Sequence, residues 1–364
     1  MSAFTFSELS ELQSTLTGTA TAFASWRLPG AEAPETIAGS IEQVQQLDSI
    51  RQLNTLTSGY IFAPFEPGEP ACLIQSQWYR RGFTFEPLSI EAANKKYPLP
   101  SKDIKSASKS EYMARVHDAI QHIKSGEISK VVLSRVVSHQ LPNGFNPALL
   151  FKQLCINYPL AFVYLVYLPG KGLWAGATPE LLAAISNGRI RTMALAATRK
   201  AGTVGQWTHK ELMEQQWVSN YIKELFGSFG ADGLQQSATY TSQAGPVEHL
   251  RTDFSATLSQ DDAGAFLERL HPTPAVCGWP KNQALKVIAG LENYKREFYT
   301  GFTGPVNVGS QDTVLFVNLR CLQIVDKYAL IYVGGGITLE SVPEDEWNET
   351  LLKSRTLLDA IEKC

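Results

Sequence analysis

The sequence predicts an α+β fold, on three observations. Strand-like runs rich in β-branched residues follow one another in groups, long helical patterns stand between the groups, and no regular strand–helix–strand alternation of a doubly wound fold occurs. At 364 residues the chain can bury a large core, as one big domain or two ordinary ones. Its 44% hydrophobic and 18% charged residues describe a globular protein with fewer charges than average.

Residues 1–108 read as a variable N-terminal part packed into the same fold, with strand-like stretches at Tyr60–Phe65 and Ala71–Gln75 set off by Gly and Pro turns. Residues 94–109 are rich in Lys, Ser and Pro and read as a solvated connection. Ser108 and Glu111 then form a capping box before a helix carrying Val116, Ala119, Ile120 and Ile123 on one stripe, ended by Gly126. The run from Lys130 to Val137 is a strand with Lys130 at its mouth, and Ala161–Tyr167 and Arg189–Leu195 are further strands. Glu211–Phe226 is a helix. Thr313–Val325 alternates as one strand with Phe316, Asn318 and Arg320 on one face. Tyr328–Val333 is a strand running into a Gly334-Gly335-Gly336 turn. The last helix opens with Ser341 and Glu344 as a second capping box and Pro343 in its first turn.

Composition excludes several function classes. A net charge of −3 without a basic block gives no footprint for nucleic acid or an anionic membrane surface. No apolar run reaches the roughly 20 residues that span a bilayer. The start, MSAFTFSELSELQ, lacks the basic and apolar regions of a signal peptide, and the five scattered cysteines fit a reducing compartment, so a cytoplasmic protein is expected. Nothing obliges it to oligomerise, and a monomer is expected. The glycine patterns of dinucleotide and P-loop sites and the GxSxG of serine hydrolases are missing.

The chemistry concentrates in the last two thirds of the chain. Glu211/Glu214 and Glu346/Glu349 are two couples at i, i+3, each placing both acids on one helix face. Like charges at that spacing repel, so the couples are either solvated faces or two halves of an oxygen-rich cage for Mg²⁺. Lys130 is either a snorkelling lysine or a desolvated general base. Glu180, after a strand and Pro179, is either an ordinary helix-start acid or a general acid with a raised pKa. Arg320, in apolar surroundings, needs an anion: a structural partner or a substrate carboxylate. The glycine run is a flexible turn or a set of bare N–H groups for a carboxylate. Lys353, four residues after Glu349, either neutralises that couple or reaches an anionic ligand.

These blocks, in this order, resemble the chorismate-utilising enzymes, and within them the isochorismate synthases. The resemblance covers roughly residues 109–362 and rests on GEISKVVLSR, ATPELL, LAAT, KELMEQ, EHLRT, HPTPAVCGWP, REFYTGFTG, VNLRC, VGGGI and EDEWNETLLKS. It implies a chorismate-binding catalytic domain over 109–364, built of large β-sheets with helices on the outside. It also implies a Mg²⁺ cofactor and conversion of chorismate to isochorismate for menaquinone or siderophore biosynthesis. By that resemblance Glu214 and Glu349 are metal ligands, with Glu211 and Glu346 supporting through water. Arg320 and Tyr299 take the side-chain carboxylate, and Gly334, Gly336 and Lys353 the ring carboxylate. Thr198 and His249 line the pocket. Lys130 is the base that activates water and Glu180 the acid for the leaving hydroxyl.

Lys130 is similar to the water-using members, and Ala196 stands where aminodeoxychorismate synthases carry a nucleophilic lysine. HPTPAV is similar to isochorismate synthases rather than to the FPxxTxSG form of salicylate and anthranilate synthases. A salicylate synthase and a non-catalytic chorismate-binding protein are the alternatives. Two positions depart from the family pattern: Gln215 stands for a histidine and Ala197 for a glycine.

Overall fold

The computed structural model describes residues 7–55, 58–82, 94–102, 106–245, 247–309 and 312–364. The first part carries α1 (Ser7–Leu16) and strands β1 (Thr21–Arg27), β2 (Glu35–Ser40), β3 (Val44–Leu47), β4 (Gly59–Ala63), β5 (Ala71–Gln75) and β6 (Trp78–Arg81). Next come α2 (Lys109–Lys124), β7 (Lys130–Gln140), α3 (Pro147–Asn157), β8 (Phe162–Leu168), β9 (Gly172–Thr178), β10 (Leu181–Ser186) and β11 (Arg189–Lys200). They are followed by α4 (His209–Ser228), β12 (Asp232–Gln236), β13 (Tyr240–Ala244), β14 (Val247–Thr257), α5 (Gln260–Leu270), β15 (Gly278–Trp279) and α6 (Lys281–Leu291). The chain closes with β16 (Phe302–Val306), β17 (Thr313–Val317), β18 (Cys321–Val325), β19 (Tyr328–Ile337) and α7 (Pro343–Ile361).

The strands form two antiparallel sheets. A nine-stranded sheet runs β15-β7-β19-β18-β9-β8-β1-β2-β6, and a ten-stranded sheet runs β12-β14-β11-β10-β17-β16-β4-β5-β3 with β13 paired to β14. The period-two alternation of strand side chains sorts residues into separate layers. On β8, Phe162, Tyr164 and Val166 point into an aromatic layer shared with Tyr60 and Phe62 of β4, while Val163, Leu165 and Tyr167 pack outward with α1, α3 and α7. The outer face of the ten-stranded sheet is closed by α4 and α5 through Val218, Ile222, Phe226, Phe266 and Leu267. The helices therefore cover the two sheets from outside, and the α+β expectation holds. Strands from the first hundred residues pair into both sheets.

Helix α2 begins at the expected capping box: Ser108 accepts from Glu111 N, and the Glu111 carboxylate accepts from Ser108 N. The connection over 94–109 falls partly outside the described residues, but its described part is tied down. Lys102 pairs with Glu297 and donates to Gln323 Oε1 at 3.0 Å, and Leu99 packs on the core.

Three expectations are corrected. Thr313–Val325 is not one strand: β17 and β18 belong to different sheets, and Asn318–Arg320 carries the chain between them. Both strands are apolar enough to look continuous, yet Arg320 has φ +48°, a left-handed conformation no strand contains. Gly334-Gly335-Gly336 is not a turn. These residues lie inside β19, paired with Ser134, Leu133 and Val132 of β7. The second capping box does not form either. Val342 is the N-cap of α7, without a side-chain cap, and the Ser341 hydroxyl donates to Glu346 Oε1 at 2.6 Å instead.

Candidate active site

The site lies where the chain passes between the sheets. Pro179 and Glu180 carry it from β9 to β10, and Asn318–Arg320 carry it back from β17 to β18. The two crossings run side by side: Val317 N donates to Glu180 O at 2.9 Å, Thr178 Oγ1 to Val317 O at 2.7 Å and Ala177 N to Arg320 O at 3.1 Å. Asn318 fixes the second crossing by donating to Phe298 O at 2.8 Å and accepting from Tyr164 OH at 2.5 Å. Glu180 thus follows a strand and precedes another; it opens no helix.

Beside the crossings is a cavity of about 220 Å³. Lys130, Glu180, Thr198, Glu211, Glu214, His249, Tyr299, Arg320, Gly334, Gly336, Glu349 and Lys353 all line it. Glu346 is the one candidate that does not; a side chain at Gly335 would meet its Oε2 at 3.0 Å. The structure therefore brings together residues spread over more than two hundred positions of sequence.

Lys130 is buried at the start of β7, which is held on both flanks. Ser129 N donates to Trp279 O at 2.8 Å and Val132 N to Cys277 O at 2.9 Å, while β19 pairs along the other edge. The HPTPAVCGWP segment thus acts as a backbone splint for the lysine. Lys130 Nζ lies 3.2 Å from Glu214 Oε2. A β-carbon at Gly336 would sit 2.9 Å from Lys130 Cε and 3.1 Å from Glu214 Oε2, so glycine leaves room for both side chains. Glu180 is buried, and burial pushes its carboxyl up to about 8 against the pull of Lys130 and Arg320. The shift favours the protonated carboxyl at neutral pH.

The cationic side of the cavity is built differently. Burial, then the Arg320 charge, pushes His249 down to about 3, so its ring is neutral. Nδ1 lies 2.8 Å from Ala197 O, which can only accept, so the proton sits on Nδ1 and Nε2 is left to accept from Arg320 Nη2 at 3.4 Å. Ala197 presents that carbonyl from φ +57°, at an irregularity in the β11–β14 pairing. Arg320 has no carboxylate within ion-pair distance among the described residues, and its other contact is Thr356 Oγ1 at 3.5 Å. Tyr299 stacks on Tyr332, and its hydroxyl would lie 2.9 Å from a β-carbon at Gly334. Burial raises that hydroxyl, which stays a donor.

The acidic side is formed by α4 and α7. Glu211 is committed to a capping box, accepting from Thr208 N at 2.7 Å and from Thr208 Oγ1 at 2.8 Å. Glu349 pairs with Lys353 at 2.5 Å, and Lys353 also donates to Gly334 O at 2.9 Å. Glu346 is buried and pairs with Lys210 at 3.0 Å, but its Oε2 has no partner among the described residues. Burial first, and the Glu349 charge second, raise its carboxyl. Among the described residues no group of three or more His, Cys, Asp or Glu is already closed around a metal position. The donor set is nonetheless all carboxylate and partly unsatisfied, which suits a hard divalent cation such as Mg²⁺.

The sequence reading overlooked Lys210. It stands four residues before Glu214, the same spacing as Glu349 and Lys353, and that repeat could have flagged it. It also overlooked the buried Arg296–Glu292 pair behind the cavity, which has no short-range signature beyond its own i, i+4 spacing.

The chain is similar to known proteins. The family described as chorismate binding enzyme matches residues 71–362, beginning well before the blocks from which the resemblance was read. Isochorismate synthase EntC of Escherichia coli strain K12 is 29% identical over 245 residues, 64% of this chain and 62% of EntC. Anthranilate synthase component 1 of Aquifex aeolicus is 28% identical over 270 residues, 70% of this chain and 53% of the relative. The chain thus spans less than two thirds of the length of these relatives. Among solved structures, the menaquinone-specific isochorismate synthase MenF of Escherichia coli superposes with a TM-score of 0.78 at 22% identity, covering 99% of this chain and 92% of that one. At that identity the likeness speaks for the fold. With the family match extending over most of its length, the chain belongs to the chorismate-binding enzymes.

Proposed function

We propose that this protein is an isochorismate synthase, an isomerase that converts chorismate to isochorismate with Mg²⁺. The observation that carries the reading is a buried Glu180, its carboxyl pushed up by burial, and a buried Lys130 lining one small cavity. Lys130, after giving up to solvent the proton that pairs it with Glu214 in the ligand-free site, takes a proton from water as the water oxygen bonds to ring C2. The ring double bonds shift, the C4–oxygen bond breaks, and Glu180 gives its proton to the departing hydroxyl, which leaves as water. One water enters and one leaves, so the net change is an isomerisation. Arg320 and Tyr299 would hold the side-chain carboxylate, and Lys353 with the backbone of Gly334 and Gly336 the ring carboxylate, in a pocket lined by Thr198 and His249. Glu214 and Glu349 would hold the metal directly, with Glu211 and Glu346 behind them through water. A bound Mg²⁺ supplies positive charge for the ring carboxylate.

The relatives named for menaquinone and vibriobactin support a role in quinone or siderophore biosynthesis. The free cysteines, and the lack among the described residues of a helix able to cross a membrane, support a cytoplasmic enzyme, which we read as a monomer. The test is product analysis with chorismate, with and without Mg²⁺. Isochorismate formed only with the metal is expected, and salicylate, seen by its fluorescence, would favour a pyruvate-eliminating enzyme instead. Lys130→Ala should lose turnover while still binding chorismate; a rate comparable to wild type would refute the water-activating role.

A further inference from the structure

Lys210 is the charged residue of the cavity to which neither the sequence nor the proposed reaction gives a task. It sits in the first turn of α4, and its ammonium reaches across to α7, donating to Glu346 Oε1 at 3.0 Å and to Ser341 Oγ at 3.3 Å. The Ser341 hydroxyl is held by Thr338 N at 3.0 Å and donates to the same Glu346 oxygen at 2.6 Å. Ser341 is thereby withdrawn from capping α7, which starts without any side-chain cap. Capping by serine is worth about 1 kcal/mol, so a chain that diverts its serine to an acid gains something else there.

What it gains is a defined position for one carboxylate oxygen. Oε1 of Glu346 has two donors, whereas the buried Oε2 has none among the described residues and abuts Gly335 close to Glu349. A buried unpaired carboxylate oxygen is costly unless a partner arrives. Burial by itself would lower the Lys210 ammonium, but Glu346 and then Glu214 outweigh burial and hold it above the ordinary lysine range. The lysine is a firm cation among three carboxylates.

We propose that Lys210 is a positioning residue that serves as the built-in counter-cation of the metal-free protein. It joins α4 to α7 through Glu346 and offsets part of the negative charge that a divalent cation would meet there. The proposal rests on the metal reading above. Its own consequence is a competition: the ammonium and the metal would neutralise the same group of carboxylates, so the lysine stabilises the empty site and weakens metal binding.

Isothermal titration of Mg²⁺ into the metal-free protein, without substrate, together with its thermal unfolding, tests this. Lys210→Met should bind Mg²⁺ roughly five- to tenfold more tightly, and its metal-free form should melt about 1–3 °C lower. Lys210→Arg keeps the cation and serves if the methionine variant does not fold; it should bind Mg²⁺ no more tightly than wild type. Unchanged or weaker Mg²⁺ binding by Lys210→Met, or tighter binding by Lys210→Arg, would overturn the proposal. If wild type takes up no Mg²⁺ at millimolar concentration, the metal reading itself fails. The melting comparison then stands alone, and an unchanged melting temperature in Lys210→Met rejects the counter-cation role as well.

Discussion

Two sets of buried ion pairs lie within one wall of each other and are built on opposite principles. Behind the cavity, the Arg296 guanidinium donates to Glu292 Oε2 at 2.8 Å, Glu292 Oε1 at 2.6 Å, Val132 O at 2.6 Å, Val276 O at 3.1 Å and Thr300 Oγ1 at 3.3 Å. All its N–H groups are thereby used. Glu292 Oε1 also accepts from Ser134 N and Oγ, both at 2.7 Å. Facing the cavity, Lys130–Glu214, Lys210–Glu346 and Lys353–Glu349 are each joined by one N···O contact, and among the described residues one carboxylate oxygen has no partner and Arg320 reaches only neutral groups at long distance. A saturated pair fixes backbone: Arg296 ties β7, the segment before β15 and the turn beside Tyr299. Unsaturated charges are held ready for a ligand. Saturation of hydrogen bonds, more than burial, separates the two.

The comparison breaks most visibly if Arg296 proves dispensable. Arg296→Met strands a buried Glu292 and should destabilise the fold by about 3–5 kcal/mol in denaturant unfolding; a loss under 1 kcal/mol would remove the distinction. Arg320→Lys is the matched change on the other side. It keeps the charge and loses the planar fork, so chorismate binding should weaken by about 1.5–3 kcal/mol in calorimetry while stability scarcely moves. A variant that binds normally but unfolds easily would place Arg320 with the structural set.

A smaller effect is read in pH. The folded protein keeps the Glu180 proton up to about 8, whereas the unfolded chain releases it near the ordinary glutamate value of about 4.3. Between those values the folded state binds the extra proton, so this group makes stability fall as pH rises, by up to about 1.4 kcal/mol per pH unit. Glu180→Gln should remove that slope, and an identical pH profile in wild type and variant would mean the carboxyl is already ionised. Smallest of all is Ala197→Gly. Relief of the left-handed φ should outweigh the greater freedom of unfolded glycine and raise stability by about 0.5 kcal/mol, with the His249 contact kept. A lower melting temperature would show that the alanine methyl packs favourably there.

Much of the candidate cavity lining was legible because its residues sit in short blocks whose types announce charge, backbone freedom or helix position. Lys130 at a strand start, the two glutamate couples and Arg320 needed no long-range information. What was hidden depends on contacts distant in sequence. The glycine run looked like a turn because glycine weakens strands, yet pairing with β7 and the crowding of Lys130 and Glu214 call for glycine there. Ser341 and Glu344 satisfied the capping rule locally, and Glu346 and Lys210 overrode it. The break at Asn318–Arg320 was masked because the change of sheet leaves the apolar pattern on both sides unchanged.

That break has a consequence for how the molecule comes apart. The segments bearing Glu180 and Arg320 are hydrogen-bonded to each other as they pass between the sheets, so neither sheet can detach and leave a half-formed pocket. Partial opening that separates the sheets would dismantle the proposed ligand contacts, and a ligand bound there should slow hydrogen exchange in amides of both sheets at once. The pocket would then be the hinge pin on which both sheets open together, and occupancy would be felt as far out as the edge strands.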